Sequence, residues 1–219
     1  MTLKEDSGLK VAEFLLQIKA IELRPENPFT WASGWRSPIY CDNRKTLSFP
    51  KIRTYIRQQF VERILEVYGK PEVIAGVATG GIAIGALVAE ELGVPFIYVR
   101  SSAKAHGLGN MIEGYLELGK DVIVIEDLIS TGNSSLNAVA ALREAGANVK
   151  GMVAIFSYGF QIATDNFKLA NCELHTLTDY HMVLKQALKS DFITDAQLSK
   201  LENWRKDPEM WSHQFQELA

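Results

Sequence analysis

The stretch Val122-Ile123-Val124-Ile125-Glu126-Asp127-Leu128-Ile129-Ser130-Thr131-Gly132-Asn133-Ser134-Ser135 decides the fold. Its four β-branched residues predict a buried strand over 122–125, and the residues after the turn are typical of a helix. Open α/β sheets bind ligands outside the carboxyl ends of their strands, so we expect both acids at a ligand site. The hydroxyl-rich turn offers backbone N–H groups and a helix N-terminus, which favour a phosphate. Carboxylates beside a phosphate suit the hydroxyls of a sugar or a bound cation, so a phosphorylated ribose is the expected ligand.

Composition and charge narrow the class of protein. The chain has 219 residues, of which 47% are hydrophobic, enough for one domain with a sizeable core. A net charge of −3 gives no electrostatic reason to expect a nucleic acid partner. Cys41 and Cys172 provide no disulfide framework, and residues 1–10 lack the apolar core of a secretory signal, so we expect a cytoplasmic protein. Residues 73–89 carry no charge but fall short of a membrane span, which needs about 20 residues.

Hydrophobic periodicity predicts alternating strands and helices through the middle of the chain. The predicted strands cover residues 73–77, 96–99, 122–125, 149–156 and 174–177. Helices are predicted over residues 9–22, 82–92, 133–145, 179–189 and 194–206, and a further helix follows a Ser48 cap, takes Pro50 in its first turn and runs to about Tyr68. Short strands and turns are expected over 29–42, and a polar loop over 101–113. This order indicates an α/β fold with a parallel sheet covered on both faces, in a single domain over residues 1–219 with its core at roughly 45–160.

The opening stretch resembles the signature with which type I phosphoribosyltransferases bind 5-phosphoribosyl 1-diphosphate (PRPP). The resemblance implies the parallel-sheet core of that family, with a small hood that the N- and C-terminal segments form over the active-site cleft. It implies that Glu126 and Asp127 hold the ribose hydroxyls, and that Asp127 is catalytic because it offsets positive charge in the transition state. It also implies that Ser130 lies beside the base and that PRPP contacts the strand end and turn, namely Leu128, Ile129, Ser130, Thr131, Gly132, Asn133 and Ser134.

Ordinary structural roles also fit this stretch. One of the two acids would then only cap the following helix, while the other acid stays functional. Similarly, Asn133 or Ser134 would cap the helix without binding a ligand. The sequence leaves these alternatives open.

The turn Ala78-Thr79-Gly80-Gly81 follows another predicted strand. Its amides are suited to a diphosphate oxygen, so Thr79 and Gly80 are candidate PRPP contacts. Many relatives carry a lysine at the position of Gly80, and the chain resembles a subgroup of orotate enzymes with the glycine-rich form. A glycine turn of an ordinary α/β fold is the alternative.

The segment 100–109, Arg-Ser-Ser-Ala-Lys-Ala-His-Gly-Leu-Gly, predicts a lid that carries cations. Positive side chains suit a diphosphate leaving group because they stabilise the charge that grows as its bond breaks. Lys104 and His106 match catalytic-loop residues of the family, so they are candidate catalytic and PRPP-binding residues together with Arg100. Ser101 replaces a lysine found in some members. A solvated surface loop is the alternative.

Residues 29–42, Phe-Thr-Trp-Ala-Ser-Gly-Trp-Arg-Ser-Pro-Ile-Tyr-Cys-Asp, resemble the N-terminal signature of the orotate phosphoribosyltransferases. The resemblance implies that Tyr40 forms an aromatic wall for orotate, next to Ser130 as the second orotate-binding residue. Ala32 and Tyr158 stand where some relatives carry a lysine and an arginine, so other donors, such as backbone amides, are expected for the orotate carboxylate. A hydrophobic strand pair is the alternative.

Together these resemblances imply transfer of ribose 5-phosphate from PRPP to orotate. Mg²⁺ is expected to arrive bound to the diphosphate, with no direct protein ligand. The family also implies a homodimer that shares loop residues across its interface. The alternatives are a phosphoribosyltransferase for a purine base and a PRPP-sensing regulator that binds nucleic acid without catalysis, for which the sequence shows no basic stripe. Trp204 and Trp211 are predicted to pack in the core, and the histidines show no metal-ligand spacing.

Overall fold

The structure, a computed structural model, describes residues 3–31, 34–101 and 111–216. Its elements are α1 (Leu3–Gln17), β1 (Ile21–Leu23), β2 (Phe29–Thr30), β3 (Arg36–Ser37), β4 (Ile39–Cys41), a 3₁₀ helix (Asn43–Ser48), α2 (Pro50–Tyr68), β5 (Val73–Val77), α3 (Gly80–Leu92), β6 (Phe96–Val99), β7 (Ile112–Glu113), β8 (Asp121–Ile129), α4 (Asn133–Glu144), β9 (Asn148–Ser157), α5 (Gln161–Leu169), β10 (Leu174–Asp179), α6 (Tyr180–Lys189), α7 (Asp195–Lys206) and α8 (Pro208–Gln216). They form two compact units: residues 47–177, and residues 1–46 with 178–219.

A six-stranded sheet in the order β10-β9-β8-β5-β6-β7 forms the centre of the larger unit. The neighbours β9, β8, β5 and β6 are parallel, and the short β7 is antiparallel to β6. All five residues of β5 are buried, as expected for a parallel strand with helices on both faces. The predicted α/β class is therefore confirmed.

Three glycines allow α3 to pack directly against the central strands. A Cβ atom at Gly76 would lie 2.6 Å from the Gly81 carbonyl oxygen, and one at Gly85 would lie 2.9 Å from the ring of Phe96. A Cβ atom at Gly81 would overlap the carbonyl oxygen of Ile125. The uncharged stretch 73–89 is thus a strand, a turn and a buried helix, as predicted. None of the helices described here is long and apolar enough to cross a membrane.

Several predicted boundaries in the first part of the chain are wrong. Ile21 belongs to β1 rather than to the first helix, because α1 ends at Gln17 and Lys19 takes a positive φ of 54°. Phe49, not Ser48, occupies the cap position of α2, although Pro50 lies in the first turn as predicted. The first helix also begins at Leu3 rather than at residue 9, whereas the bounds of β5 and β6 match the prediction.

The later differences concern short or polar segments. Residues 112–113, predicted as loop, form β7, and β8 continues to Ile129 instead of ending at Ile125. The short helix α5 was not predicted, because its nine residues present too few turns for a clear hydrophobic period.

The smaller unit combines the pairs β1–β4 and β2–β3 with α1, α6, α7 and α8. Trp204 is fully buried, with its ring 5.6 Å from that of Tyr180 and 6.0 Å from that of Trp31. This burial, and that of Trp211 at 8% exposure, confirm the predicted packing role of both tryptophans. Thr194 caps α7 in a reciprocal arrangement with Gln197.

Candidate active site

The two acids lie where β8 loses one of its neighbours. Pairing with β5 ends at Gly76–Ile125, whereas pairing with β9 continues to Ile129–Ser157. The chain proceeds from β5 to β6 on one side and from β8 to β9 on the other, so the strand order reverses between β5 and β8. The carboxyl ends at such a switch point form the crevice in which open α/β sheets bind ligands. Glu126 and Asp127 therefore occupy the expected position for a ligand site.

Glu126 is buried, with 5% of its surface exposed. One carboxylate oxygen accepts a hydrogen bond of 2.8 Å from the Ser135 hydroxyl, and the other accepts one of 3.0 Å from the Asp127 backbone N–H. Burial, reinforced by the negative charge of Asp127, raises the pKa of Glu126 to about 8. Ser135 belongs to α4, but the bond comes from its hydroxyl and not from a backbone N–H, so Glu126 does not cap this helix. Sequence reasoning did not single out Ser135, although it ends the deciding stretch.

Asp127 lies directly against Gly80, the first residue of α3. A Cβ atom on Gly80 would overlap the carboxylate of Asp127. The structure thus brings together two predicted segments, the glycine turn after β5 and the acids of β8. It also gives a physical reason for the glycine, since a lysine at position 80 would displace Asp127 from this place.

The turn after β8 has the form that an anion site requires. Gly132 is the cap residue of α4 and has a positive φ of 81°, and no side chain makes a capping hydrogen bond at the start of this helix. The first backbone bond of the helix runs from the Leu136 N–H to the Gly132 carbonyl. The N–H groups before Leu136 have no partner within an α-helix, so they are suited to an anion. The alternative of capping by Asn133 or Ser134 is not what α4 shows.

Arg100 follows β6 and lies at the base of the predicted lid. Its guanidinium is 3.6 Å from the Glu113 carboxylate, and its backbone N–H donates to the Met111 carbonyl at 2.8 Å. Together with β6–β7 pairing, these contacts join the two ends of segment 102–110. Lys104 and His106 lie outside the described residues, so their predicted roles stay predictions.

Tyr40, which was predicted to form an aromatic wall for orotate, lies on β4 in the smaller unit. It has 38% of its surface exposed, and its ring is 5.6 Å from that of Phe29. Tyr158 is only 3% exposed and stacks on Phe160 at 5.4 Å, so this departure from the arginine-bearing relatives packs in the core. Ala32 lies outside the described residues. Within the described ranges, no three His, Cys, Asp or Glu side chains are grouped to hold a metal ion.

Comparisons with known proteins agree with this geometry. The Phosphoribosyl transferase domain family matches residues 47–159. The orotate phosphoribosyltransferase of Phocaeicola vulgatus is 58% identical over 200 residues, which are 91% of this chain and 94% of that protein.

Two solved structures share the fold. The UMP synthase of Leishmania donovani matches with a TM-score of 0.78 and 28% identity, over 92% of this chain and 43% of that one. The orotate phosphoribosyltransferase of Aeropyrum pernix matches with a TM-score of 0.71 and 28% identity, over 84% of this chain and 99% of that one.

The fold, the site and the family match define a phosphoribosyltransferase. Its similarity to relatives over nine-tenths of its length shows that the chain belongs to the orotate phosphoribosyltransferases.

Proposed function

We propose that this enzyme transfers the ribose 5-phosphate group of PRPP to orotate, giving orotidine 5′-monophosphate and diphosphate in pyrimidine synthesis. The observation that carries the proposal is one strand-turn-helix that provides both halves of a ribose phosphate site. The acids of β8 stand at the switch point, and α4 begins at Asn133, six residues after Asp127.

Each part of the site has a proposed task. Asp127 accepts hydrogen bonds from the ribose hydroxyls, with Glu126 behind it, and residues 130–134 bind the 5′-phosphate. The N-terminus of α3, at Thr79 and Gly80, binds a diphosphate oxygen. The contact between Gly80 and Asp127 supports this division, because it places the two ends of PRPP on neighbouring elements.

The reaction breaks the bond from ribose C1 to diphosphate, and the electron pair stays on the leaving oxygen. A deprotonated ring nitrogen of orotate forms the new bond to C1. Positive charge develops on the ribose during this exchange, and the negative charge of Asp127 stabilises it. Arg100, Lys104 and His106 are proposed to offset the charge on the diphosphate, as the family resemblance implies.

Mg²⁺ is proposed to enter on PRPP, where it would neutralise diphosphate charge. The metal is proposed to take its ligands from the diphosphate, with no direct protein ligand. Tyr40 is proposed as an aromatic wall for orotate, and the exposure of Tyr40 supports this role.

We also propose a homodimer that shares its loops. A cytoplasmic location is proposed as well, and the two cysteines, which form no disulfide, agree with it.

A base panel tests the proposed reaction. Purified protein with Mg²⁺ and PRPP should consume orotate, measured by the loss of orotate absorbance, and should leave adenine and hypoxanthine unchanged. Asp127→Asn serves as the matched control for contaminating activity. Turnover of a purine base without turnover of orotate would contradict the substrate assignment.

A further inference from the structure

Helix α5 contacts the turn that follows β8. The side-chain amide nitrogen of Asn166 donates to the Thr131 carbonyl at 2.9 Å and to the Asn133 side-chain oxygen at 3.0 Å. The next residue, Phe167, packs on the same turn, since a Cβ atom on Gly132 would lie 2.7 Å from its ring. Two consecutive residues of α5 thus hold three consecutive residues of the turn.

The bond to Thr131 fixes the direction of a backbone amide. In a trans peptide unit the C=O and the following N–H point in opposite directions. When Asn166 draws the Thr131 carbonyl towards α5, the Gly132 N–H must point away from α5. This N–H therefore points to the side of the turn away from α5, where the proposed function places the 5′-phosphate.

The bond to Asn133 has a second effect. Asparagine near a helix start readily accepts hydrogen bonds from the backbone amides of the first turn. Asn166 instead engages the Asn133 oxygen. The amides at the start of α4 consequently keep their capacity to bind a ligand, which agrees with the absence of a side-chain cap on this helix.

We propose that Asn166 is a positioning residue, which holds the turn 130–134 in its phosphate-receiving form before PRPP or the nucleotide product binds. The inference rests on the proposed function in one respect, namely that the 5′-phosphate binds at this turn. Asn166 contacts the turn and not the substrate, so it acts on affinity through the direction of the amides. Preorganisation of this kind lowers the cost of ordering a site on binding.

Steady-state kinetics and calorimetry test the role. Asn166→Ala should raise the KM for PRPP and the Kd for ribose 5-phosphate by about 10-fold, while kcat changes by less than about threefold. Asn166→Asp, which keeps the shape but has no N–H donor, should weaken binding at least as much. Asn166→Gln keeps the donor on a longer side chain and should recover part of the affinity.

The exposed Gln161, on the same helix, provides the control. Its side-chain amide donates to Asp165 of the same helix at 3.0 Å, away from the turn 130–134. Gln161→Ala should keep wild-type constants. A purely structural role for Asn166 would lower the thermal midpoint and the active fraction, and hence apparent kcat, without raising KM.

The outcomes separate this inference from the proposed reaction. Wild-type KM and Kd in Asn166→Ala would overturn the inference and leave the orotate reaction intact. Ribose 5-phosphate carries neither base nor diphosphate, so it reports on the turn whatever base the enzyme uses. If the wild-type protein fails to bind it at millimolar concentration while turning over orotate, the phosphate lies elsewhere and the role of Asn166 is refuted.

Discussion

At the scale of single residues, the site depends on close packing around the Asp127 carboxylate. Asp127 occupies the space in which any side chain at position 80 would begin. Glu126 is buried behind it and bonded to Ser135 in α4. In our proposal, the residue that binds ribose therefore has its carboxylate against a glycine and its backbone N–H bonded to the second acid.

The contact between Gly80 and Asp127 predicts a coupled effect. Gly80→Ala should reduce kcat by about 10-fold, a loss of roughly 1.4 kcal/mol, because the new methyl group moves the carboxylate. In an Asp127→Ala background the space is vacant, so adding Gly80→Ala should change kcat by less than about twofold. Initial rates of the four proteins measure this coupling. Independent, multiplicative losses would show that Gly80 acts without Asp127.

The raised pKa of Glu126 predicts a pH dependence of stability. Its pKa is about 8 in the folded protein against an ordinary value of 4.5, so between these values the folded state binds a proton that the unfolded state has lost. The stabilising contribution is complete below the ordinary value and disappears as the pH rises through about 8. The free energy of unfolding should thus fall across this window.

Urea unfolding of the ligand-free protein measures the effect. The measurements should run from roughly pH 5 to roughly pH 9, which covers the fall in the free energy of unfolding expected for one raised carboxyl pKa. Glu126→Gln should flatten the slope, and the exposed Glu144→Gln on α4 should retain it. An unchanged slope in Glu126→Gln would assign the titration to another group.

At the scale of elements, sequence reasoning worked where the hydrophobic pattern was long. The uncharged segment around Gly76 and the β-branched run before Glu126 predicted β5, α3 and the start of β8. The pattern did not show that β8 continues past its acids, because pairing with β9 supplies that order and the acids themselves are unfavourable in strands. Nor did it show α5, whose Asn166 reaches the phosphate turn, since only Ala163 and Phe167 of that helix are buried.

The two glycines that flank α4 allow a matched test of the turn. Gly132 and Gly146 both have positive φ, at 81° and 85°, so alanine at either position should cost about 1 kcal/mol of stability. Only Gly132→Ala should also weaken binding of orotidine 5′-monophosphate, by about 10-fold or more, because its methyl group meets the Phe167 ring and shifts the anion-binding amides. Calorimetry and thermal melts measure both effects. Equal nucleotide affinities in the two variants would place the phosphate away from this turn.

At the scale of the whole molecule, the family resemblance implies a homodimer, which no feature of the sequence itself shows. Lys104 and His106 are proposed to act on a diphosphate in the site of the partner. The residues on either side of this segment are joined by the bond from the Arg100 N–H to the Met111 carbonyl. Shared active sites are therefore a proposal that needs its own test.

Hybrid dimers test whether the loop acts on its partner. Lys104→Ala and Asp127→Asn should each lower kcat by about 10-fold or more. A mixed dimer would contain one site with both defects and one with neither, so each hybrid should have up to about half of the activity of a wild-type dimer. Native mass spectrometry would verify subunit exchange. Exchange without recovery of activity would show that each loop serves its own chain.

The central claim is that one strand-turn-helix binds the ribose and the 5′-phosphate of PRPP. A crystal structure of the enzyme with PRPP and Mg²⁺ tests it most directly. The account predicts that the ribose hydroxyls contact Asp127 and that the 5′-phosphate accepts hydrogen bonds from the amides of residues 130–134, with the diphosphate at the start of α3. A 5′-phosphate bound away from that turn, or ribose hydroxyls out of reach of both acids, would contradict it.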